Sequence, residues 1–338
     1  MSSLSDRILG SLMGLAFGDA LGAPTEFLDV IQIRKSWPPD GPKEPPGNPM
    51  RVTDDTQMAL AVGEALVEAG TPFTLASLEH ALRKYFVEWL VSPENNRAPG
   101  MTCLSACENL AAGMPWHKAT RSGSKGCGAN MRVAPVGLLH TLPTDTRAAI
   151  SQFQAALTHG HPTALAASDL TAFAVTDLLN GGEPATLVTR LSAYAESQRC
   201  IYHEEWLGPL WEQPAIDSPE EFISRGWDEC LMVLRRLELA VTLPDRESDP
   251  CLATGAGWIA EEAFATGCLC FLLFPEHPVK AIQRAALTSG DSDSIACLAG
   301  AFAGAYMGIG AWSKEWIEKI EYRDRLINLA SGLATLQS

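Results

Sequence analysis

The sequence predicts an all-α fold, a compact single domain built from many packed helices. Apolar residues recur with a period near 3.6 through most of the chain, and alternating runs of β-branched residues bounded by turns are scarce. Of the 338 residues, 46% are hydrophobic and 19% are charged, which is ample material for one large core. No internal repeat is evident, so we expect the whole chain, 1–338, to form one domain.

Ten segments carry the helical pattern. The first, 8–18, follows Arg7 and is faintly similar to a secretion signal, but its positive charge is weak and acidic residues follow closely. The last, 294–312, is uncharged and nearly long enough to span a membrane, although it is rich in glycine and alanine. We expect both to be buried core helices. The other eight segments are 58–69, 75–90, 103–113, 148–157, 164–179, 222–239, 257–273 and 279–287.

The clearest break in the helical pattern is a proline-rich loop at 37–50. Six prolines and two glycines fall within it, so no regular element can form there. A shorter break covers 244–250. Neither break is long enough to be a clear interdomain linker, and we expect the first to deliver the chain to Thr53.

Two of the helices carry glycine at every fourth position. Each glycine inside a helix costs about 1 kcal/mol relative to alanine, so close packing must offset that cost. One interpretation is tight packing in a crowded core. The other adds that these helices aim Asp19, Asp291 and Asp293 toward one cleft. The glycines are Gly10, Gly14 and Gly18 in the first helix and Gly300, Gly304 and Gly308 in the last.

Two clusters of carboxylates and hydroxyls lie where a loop gives way to a helical pattern. Helix capping explains one acidic group in each, because an N-cap side chain accepts bonds from free N–H groups. It does not explain a second carboxylate in apolar surroundings, which favours a bound cation of the hard type, such as Mg²⁺, Mn²⁺ or Ca²⁺. Capping alone and a shared metal site therefore both stay open. The clusters are Thr53-Asp54-Asp55-Thr56 and Asp291-Ser292-Asp293-Ser294.

Three further features are candidates for ligand contacts. Glu26 follows the first helix shortly before the first acidic cluster, as either a surface glutamate or a catalytic base. A glycine-rich loop, 122–132, is expected to run into a helix. Its N–H groups could cradle phosphate, or it could be an ordinary turn, and it lacks the P-loop pattern. His159 and His161 have no obvious third zinc ligand, so hydrogen bonding at a helix end is the simpler hypothesis.

The charge and the cysteines limit the partners. The formal net charge of −15 argues against a nucleic acid or an anionic membrane as the main partner. The nine cysteines have neither zinc-ribbon nor redox spacing. We interpret them as free thiols and expect a reducing, cytoplasmic location.

Together these segments resemble the ADP-ribosylglycohydrolase family, which includes the dinitrogenase-reductase-activating glycohydrolase and the ADP-ribosyl-arginine and ADP-ribosyl-serine hydrolases. Five matching stretches run in family order from about residue 10 to residue 310, and it is their joint order that makes the resemblance specific. The stretches are 14–22, 53–56, 126–132, 157–162 and 290–296.

The resemblance implies a compact all-α fold with a central cleft that holds two divalent cations, Mg²⁺ or Mn²⁺. It implies that the metal ligands are Thr53, Asp54, Asp55, Asp291, Asp293 and Ser294. The catalytic carboxylates would come from Glu26, Asp55 and Asp291. The diphosphate would lie against the loop 124–128, and the full set of substrate-binding residues would be Ser124, Lys125, Gly126, Cys127, Gly128, Met131, Arg132, His159 and Trp258.

The activity that the resemblance implies is metal-assisted hydrolysis at C1″ that releases ADP-ribose from a modified protein. Cys127 stands where many relatives carry asparagine, and the loop around it is more similar to the arginine-specific branch. Ser292 and Ser294 replace threonines, and both hydroxyls can still bind a hard cation. The alternatives are a metal-dependent phosphohydrolase acting on an ADP-ribose-type nucleotide, an inactive ADP-ribose-binding protein and a structural, crystallin-like role.

Overall fold

The computed structural model describes residues 2–337, which contain 18 α-helices, five short 3₁₀ segments and no β-strand. This confirms the predicted all-α, single-domain fold. The first nine helices are α1 Leu4–Gly22, α2 Val30–Ser36, α3 Asp54–Ala69, α4 Leu75–Val91, α5 Met101–Ala111, α6 Trp116–Ala119, α7 Ala134–Gly137, α8 Thr144–Ala156 and α9 Pro162–Leu179. The others are α10 Leu187–Gln198, α11 Glu204–Leu207, α12 Pro219–Thr242, α13 Cys251–Thr254, α14 Ala260–Leu273, α15 Pro278–Ala286, α16 Ser292–Met307, α17 Lys314–Lys319 and α18 Arg323–Thr335.

All ten predicted segments contain helix. The observed helices differ from the predicted segments in where they begin and end, and some observed helices were not predicted. Helix α3 begins at Asp54, four residues before the predicted segment, because polar capping residues open it ahead of the apolar pattern. Two longer helices were not predicted, α10 and α18. The buried residues of α18 nevertheless recur at helical spacing, at Leu326, Leu329 and Leu333.

Helices α1 and α16 form the centre of the molecule and contact each other backbone to backbone. A Cβ on Gly14 would lie 2.2 Å from the carbonyl oxygen of Gly300, and a Cβ on Gly300 would lie 1.9 Å from that of Gly14. At the next turn, a Cβ on Gly18 would lie 1.9 Å from the carbonyl oxygen of Ala296. Only glycine allows this approach, which confirms the expected tight packing.

The same packing joins the end of α1 to the start of α16. A Cβ on Gly22 would lie 2.5 Å from the Cα of Asp293, so the two helices run antiparallel with these ends together. The segment Leu4–Thr25 is long and apolar enough to span a membrane by length and composition, and 83% of its window is buried here. It is a core helix in this fold, as predicted.

The proline-rich loop connects α2 to α3 and is anchored at its far end. No helix forms between residues 37 and 53. Met50 exchanges backbone hydrogen bonds with Lys319 and Glu321, at 2.8 and 3.0 Å. Arg97 bonds to the carbonyl of Val52 at 2.6 Å and pairs with the Glu321 carboxylate. These contacts fix the chain immediately before Thr53 and hence the start of α3.

Candidate metal centre and active-site cleft

A cleft of about 360 Å³ opens where the N-termini of α3 and α16 meet the segment that follows α1. Carboxylates dominate its polar lining. Five of them face it, from Glu26, Asp54, Asp55, Asp291 and Asp293. The structure thus brings together two acidic clusters that are more than 200 residues apart in the sequence, together with Glu26.

Helix starts position these carboxylates. Thr53 is the N-cap of α3, with Asp54 and Asp55 in its first turn, and Asp291 is the N-cap of α16. The partial positive charge at both helix N-termini stabilises the negative groups there. Capping and a shared acidic site are therefore combined in one arrangement, rather than being alternatives.

Asp19 lies beneath the cleft rather than facing it. Its fully buried carboxylate accepts hydrogen bonds from the N–H groups of Thr53 and Thr56, at 3.0 and 3.1 Å. It also accepts from both threonine hydroxyls, at 2.8 and 2.5 Å. The expectation that Asp19 points into the cleft is thus corrected, because its side chain ties the start of α3 to α1. Of the three aspartates expected there, Asp291 and Asp293 do reach the cleft.

The five carboxylates are poorly compensated by the protein itself. Burial, and next the charge of Asp293, raise the pKa of Glu26 to about 9 and that of Asp54 to about 8. The same two causes raise the pKa of Asp55 well above its ordinary value. None of the ion pairs within residues 2–337 involves any of the five. A cluster of this kind needs a cation to be ionised near neutral pH.

Part of the cluster has the spacing of a cation site. Glu26, Asp291 and Asp293 each offer one oxygen, and these oxygens lie within 4.8 Å of one another. The Oδ1 atom of the buried Asp55 has no hydrogen-bond partner in the described structure, so it is free to bind a ligand. Oxygen donors of this type fit Mg²⁺ or Mn²⁺.

Cys127 lies on the acidic side of the cleft. Its thiol donates to Oδ2 of Asp291 at 2.8 Å and lies 3.5 Å from the hydroxyl of Ser294. Burial, then the charges of Asp291 and Asp55, raise the pKa of the thiol well above its ordinary value. The sequence pattern places this residue in the diphosphate loop, whereas the structure directs its side chain toward the proposed metal ligands.

The glycine-rich loop borders the cleft through Gly126, Cys127 and Gly128. Two backbone hydrogen bonds hold it against the start of α14. The Cys127 N–H donates to the carbonyl of Trp258 at 3.2 Å, and the Ala260 N–H donates to the carbonyl of Lys125 at 2.9 Å. In the part of the chain that the structure describes, the N–H groups of Gly126 and Gly128 donate to no protein atom. They remain available to a bound anion.

The helix that was expected directly after this loop is not present as a long helix. A 3₁₀ turn of three residues follows at Cys127–Ala129, and α7 has only four residues. A helix macrodipole therefore adds little here, and any phosphate binding rests on individual N–H groups.

Three predicted substrate residues do not line the cleft. Ser124 faces an adjoining recess and is hydrogen-bonded to the hydroxyl of Thr102 at 3.0 Å. Lys125 pairs with Glu229 and Glu261, at 2.7 Å each. Arg132 is fully buried behind the cleft. Both basic side chains are held by other partners, Lys125 by the two glutamates and Arg132 by Gln154 and Thr158, so neither adds its charge to the cleft lining.

Other predicted residues do border the cleft. Met131, His159 and Trp258 are among its lining residues, and Ser294 lies beside the carboxylates. Thr53 is buried below them as the N-cap of α3. His161 is the N-cap of α9, where its Nδ1 accepts from the backbone of Thr163 at 3.2 Å, and no zinc site involves it among the described residues.

Several lining residues were missed by the sequence analysis. Phe27, which has a positive φ of 64°, stacks on Trp258 with ring centroids 5.3 Å apart. The segment 98–103, at the start of α5, forms another wall, where the Gly100 N–H donates to Asp54 at 3.3 Å. Phe27 could have been predicted as a lining residue because it directly follows Glu26. The segment 98–103 has no sequence feature that indicates a binding role, apart from its Pro-Gly break.

Comparison with known proteins assigns the fold and the family. The profile of a family described as ADP-ribosylglycohydrolase matches residues 1–338. A solved structure described as an ADP-ribosylglycohydrolase-related protein complex superposes over the whole of both chains with a TM-score of 0.68 at 23% identity, which shows a shared fold.

Three curated relatives are 27–34% identical to this chain over the aligned residues. ADP-ribosylarginine hydrolase Tri1 of Serratia proteamaculans (strain 568) is 27% identical, over 97% of this chain and 79% of that protein. ADP-ribosylhydrolase ARH3 of Bos taurus is 28% identical, over 97% of this chain and 92% of that protein. The ADP-ribosyl-[dinitrogen reductase] glycohydrolase of Rhodospirillum rubrum is 34% identical, over 47% of this chain and 53% of that protein.

Proposed function

The chain belongs to the ADP-ribosylglycohydrolase family, and from that premise we propose that it hydrolyses ADP-ribose from a modified protein side chain, with arginine as the preferred acceptor. One observation carries the proposal. Five carboxylates without a basic partner converge in a cleft whose other side offers free backbone N–H groups and aromatic surface. Such a cleft suits a ligand that has a ribose at one end and a diphosphate beside it.

Two divalent cations, Mg²⁺ or Mn²⁺, would be held by the carboxylates of α3 and α16, with Thr53 and Ser294 adding hydroxyl oxygens. When bound, such cations supply Lewis-acid polarisation of ribose hydroxyls and of a water molecule. The orphaned Oδ1 of Asp55 and the close oxygens of Glu26, Asp291 and Asp293 support this assignment.

The diphosphate would bind on the glycine-loop side of the cleft. Gly126 and Gly128 present unpaired N–H groups there, and His159 lies directly behind them. A Cβ on Gly128 would lie 3.1 Å from the His159 ring, so glycine allows the imidazole to approach the loop closely. Phosphate oxygens would accept hydrogen bonds from these groups.

The carboxylates would manage the protons of the reaction. The oxygen of water forms a bond to C1″, the bond from C1″ to the acceptor breaks, and its electron pair goes to the acceptor atom, which takes a proton. Asp55 would orient the water from within the cleft. Glu26 is the most exposed of the five carboxylates, so a leaving group can reach it. Ionised beside the bound cations, Glu26 could take a proton from the water and pass it to the acceptor atom, since a guanidine leaves most easily when it is protonated.

The charge of the cleft supports arginine as the acceptor. No lysine or arginine lines it within residues 2–337, since Lys125 and Arg132 are engaged elsewhere. A guanidinium beside Glu26 would be attracted, whereas a serine hydroxyl would gain nothing. One well-placed charge contact is worth about 2–4 kcal/mol, or roughly thirty- to a thousandfold in rate. The relatives named above include an arginine hydrolase and a hydrolase named without an acceptor, at similar identities.

The test is kcat/KM on peptides that differ only in an ADP-ribosylated arginine or serine, with Mg²⁺ and with Mn²⁺. We expect release from arginine to be at least about thirtyfold faster, as the charge argument requires. Equal rates, or faster release from serine, would contradict the acceptor assignment while leaving the hydrolase assignment intact. Binding of ADP-ribose without turnover of either peptide would instead support a catalytically inactive binding protein.

A further inference from the structure

Arg132 is a buried cation that the proposed mechanism leaves without a role. Its guanidinium has no carboxylate partner among the described residues and stacks over the ring of Phe86 at 4.4 Å. Its Nε and Nη2 donate to the side-chain and main-chain oxygens of Gln154, both at 2.8 Å. Nη2 also donates to the hydroxyl of Thr158 at 2.8 Å. A buried, unpaired charge is costly to maintain, so these contacts call for an explanation.

The hydroxyl of Thr158 is constrained by what surrounds it. A guanidinium can only donate, so Thr158 Oγ1 must accept from Arg132. Its own proton then has two neighbours, Nδ1 of His159 at 2.8 Å and the carbonyl of Ala155 at 3.5 Å. That carbonyl already accepts the backbone N–H groups of Thr158 and His159, at 3.1 and 2.8 Å. The short bond to Nδ1 is therefore the one that the hydroxyl donates.

We propose that Arg132 and Thr158 are positioning residues that fix His159 as the neutral tautomer with its proton on Nε2, aimed at the glycine loop of the cleft. The chain of donors runs from the Arg132 guanidinium to Thr158 Oγ1 and from the Thr158 hydroxyl to His159 Nδ1. With Nδ1 accepting, the remaining ring proton lies on Nε2. A Cβ on Gly126 would lie 3.4 Å from that Nε2, which places it against the loop.

The surroundings of His159 also keep the ring neutral. Burial, followed by the nearby charge of Arg132, lowers the pKa of His159 to about 3. Within residues 2–337 its Nε2 donates to no protein atom, so the N–H is available to a ligand. The ring therefore remains a hydrogen-bond donor across the range from about pH 5 to 8. The other tautomer would turn a lone pair toward the loop and repel an anion there.

This assignment rests on the proposed function for the identity of the ligand, an ADP-ribose diphosphate, but its first test does not. In protein with ¹⁵N-labelled histidine, the His159 signals are identified among the seven histidines by their loss in His159→Gln. We expect wild type and Thr158→Ser to show protonated Nε2 and unprotonated Nδ1 from pH 5 to 8. Thr158→Val removes the donor and should shift the population toward protonated Nδ1. Protonated Nδ1 in wild type would overturn the proposal, whatever the protein binds.

The second test measures binding of ADP-ribose by calorimetry. We expect Thr158→Val to weaken binding about tenfold and Thr158→Ser to restore it, since one hydrogen bond to a charged group is at stake. His159→Gln keeps an N–H donor that needs no tautomer, so adding Thr158→Val to it should change the affinity less than about twofold. Equal effects of Thr158→Val in both backgrounds would overturn the relay. If wild type fails to bind ADP-ribose, the proposed function fails and the tautomer signals alone decide the relay.

Discussion

Binding of Mg²⁺ to the metal-free protein at pH 7 should release protons from the acidic cluster. Asp54, with its pKa raised to about 8, and Glu26, with its pKa raised to about 9, both retain protons at that pH. A carboxyl group with a pKa near 8 is about nine-tenths protonated at pH 7, and a bound cation requires the carboxylate. Because the groups interact, the protons belong to the cluster as a whole, and we expect about one to two released per molecule.

The assay is calorimetric titration with Mg²⁺ in two buffers of different ionisation enthalpy, repeated from pH 6 to 8. Each released proton should tighten binding about tenfold per pH unit over this range. Asp54→Asn should release about one proton fewer. Asp169→Asn is the matched control: this carboxylate is also buried but is hydrogen-bonded to Tyr194 and Gln152, outside the cleft.

The same pKa shifts give the metal-free protein an unusual dependence of stability on pH. For Asp54, the folded-state pKa lies above the unfolded value of 3.8, so its contribution is fully present below pH 4 and is lost as the pH rises through about 8. Between these two pH values, each carboxyl group that stays protonated only in the folded state makes the free energy of unfolding fall by about 1.4 kcal/mol for every unit by which the pH rises. Mg²⁺ should therefore raise Tm more at pH 8 than at pH 5. Binding without proton release and with a pH-independent Kd would refute the reasoning.

Three further changes test the packing and the loop. The Cβ of Gly18→Ala would lie 1.9 Å from a carbonyl oxygen of α16, so this change should lower the free energy of unfolding in urea by about 2–4 kcal/mol. Gly123→Ala, whose Cβ would have no atom within 4 Å, should change that free energy by less than about 0.5 kcal/mol, and equal values for the two variants would contradict the backbone contact. Gly126→Asp should weaken ADP-ribose binding by at least about tenfold, or 1.4 kcal/mol, and unchanged affinity in calorimetry would remove the diphosphate from this loop. Lys125→Met should lower Tm by leaving the buried Glu261 unpaired, and adding Glu261→Gln should restore most of the loss; no rescue would mean that the pair does not stabilise the loop.

The helical fold could be predicted because periodicity survives wherever a helix is long and packs one face on the core. The two glycine stripes predicted the backbone-to-backbone contact of α1 with α16, since their cost in helix propensity needs a compensating approach of two backbones. Single-turn helices such as α6 and α13 could not be predicted, because four residues carry no measurable period.

The acidic half of the cleft could also be predicted from the sequence, because burying paired carboxylates in apolar surroundings is costly unless a cation compensates them. The direction of individual side chains was not. Lys125 and Arg132 stand beside the glycine loop in sequence, yet partners distant in sequence, Glu261 and Gln154, draw them away from the cleft. Cys127 illustrates the same limit, since only the fold brings its thiol to Asp291. Pairings of this kind depend on the tertiary packing of distant segments, so local sequence patterns do not predict them.

The central claim, cleavage of the glycosidic bond at C1″ by the acidic cleft, is tested most directly by mass spectrometry of an arginine-ADP-ribosylated peptide after incubation with Mg²⁺. The account predicts free ADP-ribose and a fully unmodified peptide, with both absent when Asp293→Ala replaces the wild type. AMP together with a peptide that retains phosphoribose would show cleavage of the diphosphate instead and would contradict the account.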